Sequence, residues 1–434
     1  MQRALMEELI AWKDRKKRKP LILRGARQVG KTWILKEFGT SEFSDLAYIP
    51  MDDNRAMSDL FGGSLDPQRL LEGISQYVGR AVTRDTLIVF DEVQAVPRAL
   101  TALKYFNEEA PEYAVAVAGS LLGMALHSGI SYPVGKVDFL DLHPMSFEEF
   151  LTADGEENLA EMIQMSNFDM LGVFAERMTD LLKRYYYVGG MPEAVQEYIT
   201  TGDMSRVRAI QQAILSAYEN DFSKHTTKEY AVRCRQIWQS IPSQLAKENK
   251  RFIFGAAREG SRGRDYAGAL QFMVDCGLIH LVPRVSKAAI PLEAYKKQIG
   301  FKLFLADIGL LGAMTDLETR TLAEGDRLFQ EFKGAYAEQF VCQELNAIEG
   351  MKLYYWSADN NPGEVDFLFH AGGTVYPIEV KAAENLKSKS LAAFCKRYDL
   401  HTGIRLSLSG YRDEGWMRNI PLYATGSLAT IKRG

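Results

Sequence analysis

The segment Gly25-Ala26-Arg27-Gln28-Val29-Gly30-Lys31-Thr32 constrains this chain more than any other. It reads GxxxxGK[ST] in full. An apolar stretch, Leu21-Ile22-Leu23-Arg24, leads into it, and a helical pattern begins behind it at Trp33–Phe38. Strand, glycine-rich loop and helix in that order make a phosphate cradle. The glycines let backbone N–H groups wrap the anion, and the helix N-terminus adds favourable dipole charge. In such a cradle Lys31 bridges the β- and γ-phosphates and Thr32 ligates Mg²⁺. The spacing predicts an ATP site lined by Gly25, Ala26, Arg27, Gln28, Val29, Gly30, Lys31 and Thr32.

A cradle of this kind needs an acidic partner at the end of a buried strand. Leu87-Ile88-Val89-Phe90-Asp91-Glu92 supplies one. Asp91 is expected to hold Mg²⁺, directly or through water, and Glu92 to orient and deprotonate the attacking water; phosphoryl transfer needs little beyond positioning and charge neutralisation. The next apolar run, Ala114–Ala118, leads to Gly119-Ser120. Ser120 is read either as a γ-phosphate sensor or as a plain turn serine. Further runs of strand length lie at Ala47–Pro50 and Val137–Leu142, with helical patterns between most of them. Strands alternating with helices imply a parallel sheet covered on both faces.

Beyond residue 150 the pattern changes. Residues 151–212 read as helical, broken at Gly189-Gly190-Met191-Pro192. Helical patterns near Ala231–Glu248 and Arg264–Cys276 then precede strand-like pieces at Leu278–Val282 and Lys302–Leu305, an order that suggests a winged-helix module. From Phe332 onward the order is helix, three strands, helix, strand. The expected organisation is an α/β chain in four parts. These are a P-loop domain over 1–150, a helical region over 151–218, a winged-helix-like domain over 219–320, and a separate α/β domain over 321–434.

The chain resembles the AAA+-like prokaryotic ATPases that carry a C-terminal restriction-endonuclease-like domain of unassigned role. The resemblance rests on RGARQVGKT (24–32), FDEVQ (90–94), AGSLLGM (118–124), SYPVGKVDFLDLHPMSFEEFL (131–151), GGMPEAV (189–195) and FKLFLADIGLL (301–311). It spans nearly the whole chain. It implies an ATPase core, a helical and winged-helix middle and a nuclease-like tail. One departure stands out: the group leads us to expect Gly-Arg where this chain has Gly135-Lys136. Lysine keeps the charge but loses the planar bidentate fork, which weakens an arginine-finger reading there.

The tail places Asp366 in Gly363-Glu364-Val365-Asp366-Phe367 and Glu379-Val380-Lys381 at the end of the next strand. This is similar to the PD-(D/E)XK nuclease pattern. Period-two alternation sends Glu379 and Lys381 to one face. If Asp366 faces them, the two carboxylates can hold Mg²⁺ with water and a phosphate oxygen, and Lys381 can orient the attacking water. Glu338, on a helix over 333–345, is a candidate outer ligand. The other reading is a nuclease fold used for binding or scaffolding, its acids forming an ion-pair network.

Composition sets the remaining limits. With 47% hydrophobic residues and 434 in all, the chain can bury several cores; at 100–200 residues per domain, about two to four domains are expected. A net charge of −4 argues against a nucleic-acid coat protein but not against local patches. One such patch gathers Lys247, Lys250, Arg251, Arg258, Arg262 and Arg264 around Phe252 and Phe254. It is read either as a track for DNA or RNA phosphates or as a solvated face with its aromatics in the core. The four cysteines are far apart and form no CxxC or Cys/His cluster, and the six histidines, His225 among them, show no metal spacing. A reducing cytoplasm fits best. The longest run without charge or histidine, Tyr113–Leu126, is short of the roughly 20 residues of a membrane helix. Arg24, Arg27 and Lys136 are candidate cations for a neighbouring subunit's site, so a homo-oligomer is expected at least with ATP bound. Two functions of different class follow: an ATP-driven nucleic-acid-processing enzyme, or a nucleotide-dependent switch whose tail only binds a partner.

Overall fold

A computed structural model describes residues 1–119, 135–224, 227–247, 251–257, 263–317, 333–358, 363–382 and 388–433. The chain divides into two units, 1–143 with 275–278, and 144–274 with 279–434.

The first unit is built on five strands, apolar and buried at the centre of the sheet and more polar at its edges. They are β1 (Leu21–Arg24), β2 (Asp45–Pro50), β3 (Thr86–Asp91), β4 (Ala114–Ala118) and β5 (Asp138–Asp141). β3 and β4 are buried along their whole length, which is what a central parallel strand requires. The sheet order is β2-β3-β4-β1-β5, and every pairing is parallel. Parallel neighbours need crossovers. α2 (Lys31–Glu42), α3 (Arg55–Gly62), α4 (Pro67–Val78) and α5 (Pro97–Glu109) provide them, after an N-terminal α1 (Leu5–Lys13). α4 is a well-signalled helix: Asp66 caps it through Gln68 N–H, Pro67 opens it, and Gly79 closes it in the left-handed region. Ile22, Ile88, Phe90, Leu100, Val115 and Val117 lie in one core cluster of this unit. The order also inserts β4 between β1 and β3, so the chain changes direction across the sheet beside β1, where open α/β sheets bind ligands.

The second unit begins with helices α6 (Phe147–Ala153), α7 (Glu157–Gln164), α8 (Phe168–Val173), α9 (Ala175–Val188), α10 (Pro192–Thr201), α11 (Met204–Lys224), α12 (Lys228–Leu245), α13 (Phe254–Ala257) and α14 (Gly263–Asp275). Strands β6 (Ile279–Val285) and β7 (Lys296–Leu305) and helices α15 (Ile308–Met314) and α16 (Lys333–Ala347) follow. The C-terminal part holds β8 (Tyr354–Ser357), β9 (Glu364–Ala371), β10 (Thr374–Lys381), α17 (Lys389–Tyr398), β11 (Gly403–Ser407), β12 (Arg412–Asp413), β13 (Met417–Pro421) and α18 (Ala429–Arg433). Among the described residues these six strands and the β6–β7 hairpin form one mixed sheet, β12-β13-β11-β10-β9-β8-β6-β7. The β6–β7 hairpin, expected to belong to a middle module, pairs through β6 with β8 in parallel, so one sheet runs across the boundary drawn at 320/321.

Three of the sequence motifs meet inside this unit. Met145 donates its N–H to Gly190 O at 2.7 Å. Gly190 in turn donates its N–H to Asp307 Oδ2 at 2.6 Å, and Asp307 also accepts from Leu310 N at 3.0 Å as the N-cap of α15. Asp307 is fully buried, and burial pushes its carboxyl up to about 6 against the pull of these donors. A Cβ on Gly190 would lie 2.0 Å from Met145 O and 2.7 Å from Met145 N, both backbone atoms that cannot turn aside. Gly190→Ala is therefore expected to lower the stability of the second unit by about 1–3 kcal/mol, the usual cost of overpacking a close-packed site. Denaturant unfolding followed by tryptophan fluorescence measures it, and an unchanged midpoint would mean that Met145 can give way.

Candidate functional site

β1 ends at Arg24 and hands the chain to a loop that turns sharply back on itself. Gly25 has φ 141° and a Cβ there would lie 2.2 Å from Leu142 O, so only glycine fits. Gln28 (φ 66°) and Gly30 (φ 97°) are also left-handed, the kind of turn from which anion-binding nests are built, before α2 begins at Lys31. Arg3 braces the loop from outside the motif. Its buried guanidinium donates to Val29 O at 3.0 Å and to His143 O at 2.6 Å.

Lys31 is buried and donates to Gly25 O at 2.8 Å and Ala26 O at 2.7 Å. Burial brings its pKa down to about 8; Glu92, Asp91 and Cys276 pull it up, and Arg27 pushes it further down. Asp91, at the end of β3, is the hub of the site. Thr32 Oγ1 donates to its Oδ2 at 2.6 Å, and the Tyr48 hydroxyl donates to the same oxygen at 2.7 Å. Glu92 N–H donates to Oδ1 at 3.0 Å. Tyr48 reaches Asp91 because β2 pairs with β3; burial and then the Asp91 carboxylate raise its pKa, so the phenol stays a donor. Glu92 is held in the left-handed region (φ 51°), a conformation costly for a non-glycine residue and concentrated at functional sites. Gln94 Nε2 donates to its Oε2, while Gln94 Oε1 is buried without a hydrogen-bond partner.

These residues fit a nucleotide with Mg²⁺. A hydroxyl and a carboxylate already converge, as hard-cation ligands must. The cradle excludes any Cβ at Gly25, and beside Glu92 the Gln94 acceptor remains for a donor. Ser120 lies outside the described residues. Of the candidate cations, Arg24 pairs with Asp141 (2.8 and 2.6 Å) and Lys136 with Glu108 (2.9 Å), while Arg27 is exposed. Sequence reasoning missed Tyr48 and Arg3. Neither sits in a motif, and each reaches the site only through the register of β2 or the packing of α1.

In the free protein Lys31 is half neutral at about pH 8. A phosphate in contact with Lys31 would favour the charged form, so binding above that pH would take up a proton. ATP affinity is expected to fall as pH rises through about 8, with proton uptake read by calorimetry in buffers of different ionisation heat. A flat affinity profile without uptake would remove Lys31 as the titrating group.

In the second unit Asp366 and Glu379 come from adjacent antiparallel strands. The β9–β10 register runs to Phe367↔Ile378, and Asp366 Oδ2 accepts from Val380 N at 2.8 Å. Glu379 is buried; its Oε1 lies 3.0 Å from Lys381 Nζ, and its Oε2 is buried without a hydrogen-bond partner. The residue that sequence reasoning did not foresee is Lys302 on β7. It is fully buried, and its ammonium lies 2.6 Å from Glu364, 3.3 Å from Glu338 and 3.7 Å from Asp366. Burial alone would depress its pKa. Glu338, Asp366 and Glu364 more than reverse that, and it stays charged. Asp366 thus turns one oxygen to Val380 and the other toward Lys302. Among the described residues no group of three or more His, Cys, Asp or Glu side chains has the geometry to hold a metal ion. Asp366 and Glu379 flank the paired Phe367 and Ile378 on these neighbouring strands.

In the basic patch, Lys247, Arg251 and Arg264 are exposed, and Arg264 lies 3.7 Å from Asp265. Phe252 is buried, donates its N–H to Phe301 O and stacks on the Phe301 ring at 5.5 Å; Phe254 packs edge-on against both. The aromatics therefore serve the core rather than a stacking platform. Lys250, Arg258, Arg262 and His225 lie outside the described residues. The four cysteines are free and buried. Among the described residues no helix is long and apolar enough to cross a membrane.

Comparison with known proteins agrees with the first unit's geometry. A family model for an AAA domain matches residues 17–151. Two domains of unknown function match elsewhere, DUF8612 over 179–321 and DUF4143 over 333–423. No curated protein matches the chain. Among solved structures, the Walker-type ATPase PABY2304 of Pyrococcus abyssi is 14% identical over 72% of this chain and 95% of its own, at TM-score 0.45. The Orc1 protein of Aeropyrum pernix in complex with DNA is 14% identical over 74% and 92%, at 0.25. Cdc6p from Pyrobaculum aerophilum is 13% identical over 74% and 94%, at 0.26.

Proposed function

We propose that the AAA-type P-loop domain of the first unit is a Mg²⁺-dependent ATP switch, and that its nucleotide state governs how the second unit engages a partner. The observation that carries the reading is the Thr32 hydroxyl on the Asp91 carboxylate at 2.6 Å, beside a buried cradle lysine. The N–H groups of residues 25–31 bind the phosphates, and Lys31 turns from the loop carbonyls to them. Thr32 and Asp91 would hold Mg²⁺, which neutralises charge on the transferring phosphoryl group. Tyr48 keeps Asp91 aimed. Glu92 accepts the proton of the attacking water. Lys31→Ala is expected to abolish tight ATP binding. Glu92→Gln should keep binding and lose turnover by roughly 10²–10⁴-fold, the usual contribution of a positioned base. Calorimetry and phosphate release measure the two, and normal turnover in Glu92→Gln would take that residue out of the reaction.

The partner we propose is DNA or RNA, held through phosphates by exposed Lys247, Arg251 and Arg264, in a cytoplasmic protein that self-associates with ATP bound. Binding should weaken steeply with salt, and Arg251→Ala and Arg264→Ala should each lower the salt slope by roughly one unit. Unchanged binding in the double variant would return the patch to a solvated face. A second reading makes the tail a nuclease. In its favour, Asp366, Glu379 and Lys381 meet on neighbouring strands. Against it stand the burial of Glu379 and the lysine among its acids.

A further inference from the structure

The second unit contains a carboxylate cluster organised around a cation that belongs to the chain itself. Glu338 comes from α16, Glu364 and Asp366 from one face of β9, and Lys302 from β7. Lys302 has no solvent exposure, and Glu338 has almost none. An ammonium has three N–H donors and no acceptor, and here three carboxylates surround it, two of them within hydrogen-bond distance. The Tyr355 and Phe367 rings lie 5.2 and 5.9 Å from the same ammonium and add their negative faces.

We propose that Lys302 permanently occupies the cation position of this cluster, so that Glu338, Glu364 and Asp366 form a metal-independent scaffold rather than a divalent-metal centre. Carboxylates crowded in a buried space repel one another unless a cation lies among them. A divalent metal is one solution and a buried lysine is another. The two exclude each other, because a metal drawing on these acids would face an ammonium that the paired strand β7 holds among them and that has no solvent exposure. Glu379 stands outside this cluster, with one oxygen 3.0 Å from the Lys381 ammonium and the other buried without a hydrogen-bond partner. The inference concerns the second unit alone and does not rest on ATP hydrolysis by the first.

The test uses the full chain without nucleotide and Mn²⁺ as the probe, with bound metal counted by electron paramagnetic resonance. The wild type is expected to show no Mn²⁺ binding that Asp366→Asn removes. Lys302→Met, which keeps the apolar stem and deletes the charge, is expected to gain a bound Mn²⁺ ion and to lose it again in Lys302→Met/Asp366→Asn. Asp366-dependent Mn²⁺ binding by the wild type overturns the proposal. So does a folded Lys302→Met that gains no metal. If Lys302→Met does not fold in chelator, its thermal melt is repeated with Mn²⁺. Recovery of a cooperative transition supports the proposal, and no recovery overturns it. ATP hydrolysis, followed in parallel on the wild type, shows separately whether the reading of the first unit stands.

Discussion

One carboxylate oxygen organises the first unit's site. Oδ2 of Asp91 receives hydroxyl hydrogen bonds from Thr32 and Tyr48, while Oδ1 is held by the next peptide N–H. A buried carboxylate is tolerated only when such donors replace its water. The arrangement needs β2, β3 and the start of α2 in fixed relation. The sheet order provides this: β3 pairs with β2 on one side and with β4 on the other, and β4 pairs with β1. The loop after β1 and the acid after β3 then open at the same end of the sheet. The buried lysine is the counterpart. Its ammonium is held on the loop's own carbonyls, so the cradle keeps its shape through internal hydrogen bonds.

The second unit depends on a different kind of constraint, the close approach of backbones. Met145, Gly190 and Asp307 come from segments far apart in sequence, and the peptide groups approach so closely that no side chain fits between them. This explains motifs that carry no chemistry. Glycines at 189–190 and an aspartate at 307 are required by packing and by capping of α15. The aromatic residues in the basic patch belong to the same class. Phe252 and Phe254 stand among basic residues in the sequence, yet they pack with Phe301.

Buried charge separates the two units. In the first, two hydroxyls meet on one carboxylate oxygen and the lysine rests on loop carbonyls. In the second, every described acid of the cluster already has a chain-borne donor or cation, and outside it one oxygen of Glu379 has no hydrogen-bond partner. Similar residue types thus stand in different settings, because in the second unit the cation among the acids comes from β7.

The sequence by itself determined the P-loop, the acid pair at 91–92, the alternation of strands and helices up to residue 141, and the pairing of Glu379 with Lys381. These are local signals: a glycine spacing, an apolar run ending in acids, and a period of two along one strand. Most strand positions followed from them, because a doubly covered parallel strand is apolar throughout. The tertiary structure alone decided what reaches across strands. Tyr48 meets Asp91 through the register of β2 on β3, Arg3 meets the loop through the packing of α1, and the hairpin β6–β7 joins the C-terminal sheet through β8. Lys302 is the clearest case. In FKLFLADIGLL it is a lysine flanked by apolar residues, and the one acid of that motif, Asp307, is engaged elsewhere as the cap of α15. Its partners lie 36, 62 and 64 residues further on, at 338, 364 and 366, and only the assembled sheet and helix bring them to it. Electrostatics in a low-dielectric interior acts over a few ångströms of space, whatever the separation along the chain.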